Sequence, residues 1–328
     1  MERLAGNSRH RVVRMKKNNT AKRVFIIVAL ALPLLNFFVF FVGMNAKMIW
    51  DSFFRNHPYN PSLNKFYGLN NYINSIKEFF RLKGNTGGEE LCPRTIWNTL
   101  SLIFLSVFIN MPISLLCAFG IYRKFKGHRF FRFILYAPCM LSTVVLCLSF
   151  NAVIGQGGPV MSLLEQVLGP ASNIVRKGLF GNVSTAWPTL LVFSVWTGIS
   201  TNLLFFISGF ARLPESCIES AMLDGAKEFT IFRKISIPLI WPTVVTMMMA
   251  QVAGAFSWYM PTLLLTNGKN GTNTIGFLII NFTNNSMTNS GPMVNLYSAI
   301  GVLVAIVGTV VTLLSRWIGN RMGAEEEY

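Results

Sequence analysis

Long apolar runs separated by short polar connectors dominate this chain. Six stretches free of Asp, Glu, Lys and Arg, residues 24–44, 96–122, 133–155, 186–210, 237–265 and 296–314, are each long enough to cross about 30 Å of hydrocarbon as a helix. A seventh apolar patch, 275–282, is too short to span. Backbone amides in lipid must be satisfied within their own helix or within a closed barrel, and the short alternating strands of a barrel are missing. The pattern therefore predicts an all-α polytopic membrane protein with six transmembrane helices. The basic segment ahead of the first run resembles the start of a signal peptide. The run is too long for a typical signal h-region and no A-x-A site follows it, so an uncleaved anchor is expected.

Charge sets the expected orientation. Arg3, Arg9, Arg11, Arg14, Lys16, Lys17, Lys22 and Arg23 precede the first run, and Arg123, Lys124, Lys126, Arg129 and Arg132 crowd the second connector. Both belong in the cytoplasm by the positive-inside rule. Counting through six spans places both termini and the 215–234 connector on that side, with 44–95, 156–185 and 266–295 outside. The organisation read from this is a basic segment 1–23, a six-helix domain 24–318 with an outer loop 45–95 and a cytoplasmic loop 211–236, and a tail 319–328.

Composition agrees, since 52% of the 328 residues are hydrophobic and 13% charged, too apolar for a soluble domain of this size. The net charge of +16 sits at the edges of the spans without a nucleic-acid-binding motif, so topology and anionic lipid account for it. Cys92, Cys117, Cys139, Cys147 and Cys217 show no C-x-x-C or ligand spacing and read as packing residues. His10, His57 and His128 stand apart from other ligands, so no metal is expected.

The spans carry no carboxylate or cationic side chain, whereas ion-coupled carriers usually bury one. Sodium sites built from carbonyls and hydroxyls leave a secondary carrier or channel open as an alternative, beside a membrane scaffold. There is no G-x-x-x-x-G-K-[ST] loop, so any ATP-driven work would draw on another subunit, and no cofactor is expected in this chain.

A polar island, Glu219 to Pro238, interrupts the apolar pattern. Pro214 can start a helix, and Ile218, Met222, Ala226 and Phe229 recur at helical spacing as one apolar stripe. Gly225 permits a bend and Pro238 fits the first turn of the next span. Periodicity alone allows either a helix docked in a partner's groove or one lying on lipid.

The island resembles the EAA signature of ABC importer permeases, E-A-A-x-x-D-G-A followed by five residues and F-x-x-I-x-L-P. Here it reads Glu219, Ser220, Ala221, Asp224, Gly225, Ala226, Phe232, Ile235, Ile237 and Pro238, with Ser220 for Ala and Ile237 for Leu. Gly68-Leu69-Asn70-Asn71-Tyr72, Trp97-Asn98-Thr99 and Leu265-Thr266-Asn267-Gly268 extend the likeness to sugar permeases of the maltose and multiple-sugar class. The ending is similar to the maltose-type first permease. The resemblance implies a prokaryotic plasma or inner membrane, a second permease, two copies of a cytoplasmic ATPase that hold ATP and Mg, and an external solute-binding protein. It also implies alternating access, with Glu219 and Asp224 bonding or capping the docking element, Gly225 bending it, and Phe229 and Phe232 anchoring it.

A neutral sugar needs amide, hydroxyl and aromatic partners. The fourth and fifth spans hold the substrate in the family, so the expected pathway residues are Gln251, Trp258 and Tyr259, with Ser194, Gly198 and Thr201 opposite. Asn110 and Asn151 are expected to bond neighbouring helices, Gly301 and Gly308 to pack closely, and the Phe37, Phe38, Phe40 and Phe41 face to meet lipid. The 45–95 loop, with an amphipathic stretch at 72–82, is expected to be either part of a binding-protein platform or a structural cap.

Overall fold

The structure, a computed structural model, describes residues 19–55, 65–81, 91–170, 172–288 and 292–324. The basic residues before position 19, His57, Leu82 and the last four residues of the tail lie outside that set. Six stretches are long and apolar enough to cross a membrane: Arg23–Ser52, Cys92–Tyr122, Thr143–Leu168, Val183–Phe210, Glu228–Phe256 and Tyr297–Gly323. They are called the first to sixth spans below.

The chain divides into two compact units, Met1–Trp50 and Asp51–Tyr328. In the first unit, helix Asn19–Asn36 runs through a π-helical turn, Phe37–Val42, into helix Gly43–Ser52. Its apolar side chains, including Phe37, Phe38, Phe40 and Phe41, are exposed within the chain. In the second unit the fourth span packs along the second span and along helix His128–Met140, and the fifth packs along the sixth. The largest core joins the second, fourth and fifth spans to the 211–236 loop, with Ala118, Leu203, Phe206, Phe210 and Ile231 all fully buried.

Two of the expected spans are broken. The 133–155 run is not one helix: His128–Met140 ends, and Thr143–Ile154 begins with Ser142 in extended conformation as its cap, its hydroxyl accepting from the Val145 amide at 3.4 Å. Serine is favoured at that position because it satisfies an orphan amide of the first turn. The third span then continues through Pro159–Leu168 after an interruption at 155–158. The 237–265 run stops at Phe256, and Met260–Leu265 is a separate short helix with Pro261 in its first turn. The Trp258 carbonyl accepts instead from the Thr274 hydroxyl at 2.7 Å. Apolar composition alone carried no mark of either break. The short 275–282 patch forms part of helix Ile275–Thr288.

Polar motif residues act as clamps at the end of the bundle opposite the 211–236 loop. Asn98 donates from Nδ2 to the carbonyls of Gly271 and Asn273, both at 2.8 Å, and the Thr99 hydroxyl accepts from the Ile275 amide at 3.1 Å. These bonds hold the turn in which Asn267 and Gly268 adopt positive φ. Asn71 bonds the Ser52 and Phe54 carbonyls at 2.8 and 2.7 Å, and Tyr72 meets the Ser52 hydroxyl at 2.6 Å. The amphipathic stretch forms helix Asn70–Arg81, beside a two-stranded hairpin of Phe54–Arg55 and Lys65–Phe66. Irregular backbone is thereby satisfied where helices end.

Candidate functional site

A cavity of about 690 Å³ opens among the second, third, fourth and fifth spans. Gln251, Trp258, Tyr259, Ser194, Gly198 and Thr201 all line it, together with Asn110, Ser106, Thr197, Thr246 and Ser257. Among the described residues, no Asp, Glu, Lys, Arg or His contributes to its wall. Cys139 does contribute, and it and Cys217 are exposed rather than packed, whereas Cys92 and Cys147 are buried.

Two buried amides organise the polar side of this cavity. Gln251 donates from Nε2 to Asn202 Oδ1 at 2.6 Å, which points the glutamine by tying the fifth span to the fourth. Asn110 closes the π-helical turn Ser106–Asn110 and donates to the Ser194 carbonyl at 3.3 Å. A Cβ on Gly198 would overlap the Asn110 amide nitrogen, so the glycine is what lets the second and fourth spans meet here. Among the described residues, Asn110 Oδ1 and Asn202 Nδ2 find no hydrogen-bond partner although buried, exceptions to the rule that buried polar atoms are paired. The sequence reading gave Asn110 a helix-bonding role only; its place in the cavity wall was legible in Ser106, Asn110 and Ser114, spaced four apart on one face. The pairing of Asn202 with Gln251 had no sequence signal, because 49 residues separate them.

The 211–236 loop is built around a helix end. Helix Glu215–Leu223 stops at Asp224, Gly225 follows at φ +76°, and the amides of Gly225 and Ala226 bond back to the carbonyls of Met222 and Ala221 at 3.1 and 3.0 Å. This double closure around a left-handed residue is the Schellman arrangement, which favours glycine because it has no Cβ. The D-G-A of the motif is thus a helix cap. Helix Glu228–Ile231 then leads through a π-helical stretch, Phe232–Ser236, into helix Ile237–Phe256, with Pro238 in the first turn.

The turn at Gly225 divides the expected apolar stripe. Ile218 is buried and Ala226 half-buried, but Met222 and Phe229 are 49% and 66% exposed. Phe232 is no external anchor: it is 7% exposed and its ring lies 5.0 Å from that of Phe119 in the core. Ala221 and Ile231 face the same core, and Ile235 packs at its edge. Glu219, Ser220, Asp224 and Gly225 are exposed, beside Leu223 at 89%. Glu219 and Asp224 make no side-chain hydrogen bond among the described residues, so they do not cap the element from within. Carboxylates near a helix C-terminus oppose its dipole, a local cost without a local return.

These placements separate two roles by mutation. Phe232→Ala is expected to destabilise the chain by about 3 kcal/mol through the cavity it leaves, lowering Tm in detergent, while Phe229→Ala leaves Tm unchanged.

A second connection reaches the loop from the basic connector. Arg123 grips Glu228 with two hydrogen bonds, 3.0 Å from Nε and 2.7 Å from Nη2, and Nη2 also reaches Met222 Sδ at 3.4 Å. The bond to Glu228 pushes the Arg123 pKa further up, so the guanidinium stays charged at every working pH. Both groups are partly exposed, so Arg123→Ala is expected to cost less than about 1 kcal/mol of stability in a thermal melt.

Residues 110–324, which include most of the cavity wall and the capped loop, match the family described as binding-protein-dependent transport system inner membrane component. The chain is 26% identical over 282 residues to the arabinooligosaccharides transport system permease protein AraP of Bacillus subtilis, covering 86% of this chain and 84% of that protein. It is 23% identical to the trehalose/maltose transport system permease protein MalF of Thermococcus litoralis over 82% of this chain and 85% of that one. Against MalF of Escherichia coli, at 26% identity, the match covers 58% of this chain and 37% of the relative. Among solved structures, a bacterial ABC transporter that imports the acidic polysaccharide alginate superposes with a TM-score of 0.71 and 18% identity, over 92% of this chain and 98% of that chain. A bacterial alginate ABC transporter in complex with an alginate pentasaccharide-bound periplasmic protein gives a TM-score of 0.72, also at 18% identity, over 93% of this chain and 97% of that chain. With two thirds of its length inside the match, this chain belongs to the family of binding-protein-dependent transport system inner membrane components.

Proposed function

We propose that this chain is one of two permease subunits of an ATP-driven importer and forms half of the pathway for a neutral sugar or oligosaccharide. The observation that carries the substrate class is the cavity wall, where hydroxyls, amides, Trp258 and Tyr259 stand, among the described residues, without a carboxylate or a basic side chain. Neutral polyols are recognised by such a mixture, whereas phosphorylated or carboxylated sugars call for Arg or Lys. Relatives named for arabinooligosaccharides and for trehalose or maltose support the reading.

The partners follow from the two ends of the molecule. The exposed Leu223, Met222 and Phe229, flanked by Glu219 and Asp224, suit the groove of a cytoplasmic ATPase, two copies of which would hold ATP and Mg. This chain would hydrolyse no ATP itself. A second permease would close the cavity, and an external binding protein would deliver the sugar in a prokaryotic cell membrane. Closure of the ATPases would be passed from the Gly225 cap through the Phe232–Ser236 turn and the Arg123 to Glu228 bridge into the fifth and second spans, turning the cavity outward. Hydrolysis would then reset it.

Uptake by the complete importer in proteoliposomes tests the substrate class. Neutral arabino- or malto-oligosaccharides should enter in an ATP-dependent manner, and glycerol 3-phosphate and uronate oligosaccharides should not. Preference for the charged probes would refute the reading.

A further inference from the structure

A slot of about 440 Å³ runs down the side of the bundle, between helix Asn70–Arg81 and the second and sixth spans. It shares no lining residue with the large cavity. Among the described residues its wall presents no polar surface. The Thr99 hydroxyl, at the wall, is taken up by the Thr95 carbonyl at 3.0 Å and the Ile275 amide at 3.1 Å. Ile76, Phe80, Leu100 and Val307 line the slot and are exposed within the chain, so it opens sideways instead of closing as a core. Phe256, the last residue of the fifth span, is also in its wall, and Trp258 and Tyr259, which follow, line the large cavity.

Two dimensions decide what fits. The wall contributed by the sixth span runs from Ile300 to Val311, about 16 Å of helix, close to one leaflet's half of a hydrocarbon core about 30 Å thick. Spread over that length, the volume gives a mean cross-section of about 27 Å². A helix with its side chains is about 10 Å across and needs roughly three times that section, whereas a single hydrocarbon chain fits. Helix Asn70–Arg81 supplies the complementary charge. By helical register Ile73, Ile76 and Phe80 share one face, Asn70 and Asn74 another, and Lys77 falls on the border between them. An amphipathic helix of this layout lies along a membrane surface, and a lysine at its border keeps its stem on apolar surface with the ammonium at headgroup level. Lys77 is exposed.

We propose that the slot binds one anionic phospholipid of the leaflet away from the 211–236 loop, with an acyl chain packed between helix Asn70–Arg81 and the sixth span and the phosphate beside Lys77. Such a chain is in contact on several sides and its headgroup meets a fixed charge, so it outlasts detergent extraction, unlike lipid on the open spans. It packs on Phe256, at the break that sets Trp258 and Tyr259 in the large cavity. The site is independent of which solute is carried.

The test uses the complete importer, reconstituted in vesicles of phosphatidylethanolamine and phosphatidylglycerol and extracted in mild detergent. Native mass spectrometry reads the retained phosphatidylglycerol, and thermal melts are run with and without added phosphatidylglycerol. The wild type should carry one more phosphatidylglycerol than Val307→Trp, whose ring fills the slot. Added lipid should raise Tm in the wild type and not in that variant, since a ligand held by the folded state stabilises it. Ile306→Trp, which adds the same ring at a neighbouring exposed position outside the slot, should match the wild type in both readouts. Lys77→Glu should lower retention about fivefold, the loss of one basic contact to an anionic headgroup. A wild type that retains no lipid would mean that another part of the importer covers the slot, and retention that survives Val307→Trp would place the lipid elsewhere. Either result overturns the site, as do equal losses in Val307→Trp and Ile306→Trp or unchanged retention in Lys77→Glu.

Discussion

Gly225→Asp should assemble normally and yet lose stimulation of ATPase activity by sugar-loaded binding protein by a factor of ten or more. The expectation follows from the difference between what this chain and a partner would each meet at that position. Within the chain, a Cβ on Gly225 touches nothing within 4 Å, and the residue is exposed. The remaining internal cost is the left-handed backbone at φ +76°, which asparagine and aspartate tolerate better than other residues and which amounts to about 1 kcal/mol. Folding should survive that. A groove closing over a bare glycine and the exposed Leu223 would instead meet a new side chain and a carboxylate beside Asp224. Gly225→Asn separates the two contributions, since it keeps the left-handed tolerance without the charge. Thermal melts and ATPase assays of the assembled importer read both quantities. Normal stimulation in Gly225→Asp would remove the 211–236 loop from the coupling path.

Gly198→Val should lower neutral-oligosaccharide uptake at least tenfold, about 1.4 kcal/mol or more in the rate-limiting step. A Cβ there overlaps the Asn110 amide, which is 1% exposed, bonded to the Ser194 carbonyl and open only toward the cavity it lines. Either the second and fourth spans separate or the amide swings into the cavity, and both deform the wall. Gly254 is the internal comparison. It also lines the cavity, but a Cβ added there meets nothing within 4 Å, so Gly254→Ala should transport at close to the wild-type rate. Equal behaviour of Gly198→Val and Gly254→Ala would show that the contact of the second and fourth spans does not shape the pathway.

Phe232 and Phe229 illustrate what periodicity reads well and what it does not. Helical spacing places Phe229 on the apolar stripe of the loop, whereas Phe232 is singled out only by the motif resemblance, which makes both of them docking anchors. Their destinations differ although both follow Gly225: Phe229 stays on the exposed side of helix Glu228–Ile231, whereas Phe232 opens the π-helical stretch and packs on Phe119 in the core. The glycine was visible in the sequence, and so was the possibility of a bend, but the angle between two four-to-nine-residue helices depends on what the core accepts. The broken third and fifth runs follow the same logic. A hydrophobic tally cannot distinguish a continuous helix from two helices whose junction is repaired by Ser142 or by Thr274 from a distant loop.

The sequence by itself determined the solvent in which this protein folds, the number of membrane-spanning stretches, and the location of the Glu219 to Pro238 island. Those properties depend on transfer free energies and local backbone preferences, which add up residue by residue along the chain. It also named the six residues that meet in the large cavity, through resemblance and side-chain chemistry rather than geometry. The packing of the helices settles that Asn202 aims Gln251, that Gly198 admits Asn110, and that Arg123 holds Glu228. Each of these joins groups tens of residues or more apart in the chain, or loops whose approach is set by distant contacts, and such pairings are chosen by the packing of whole helices.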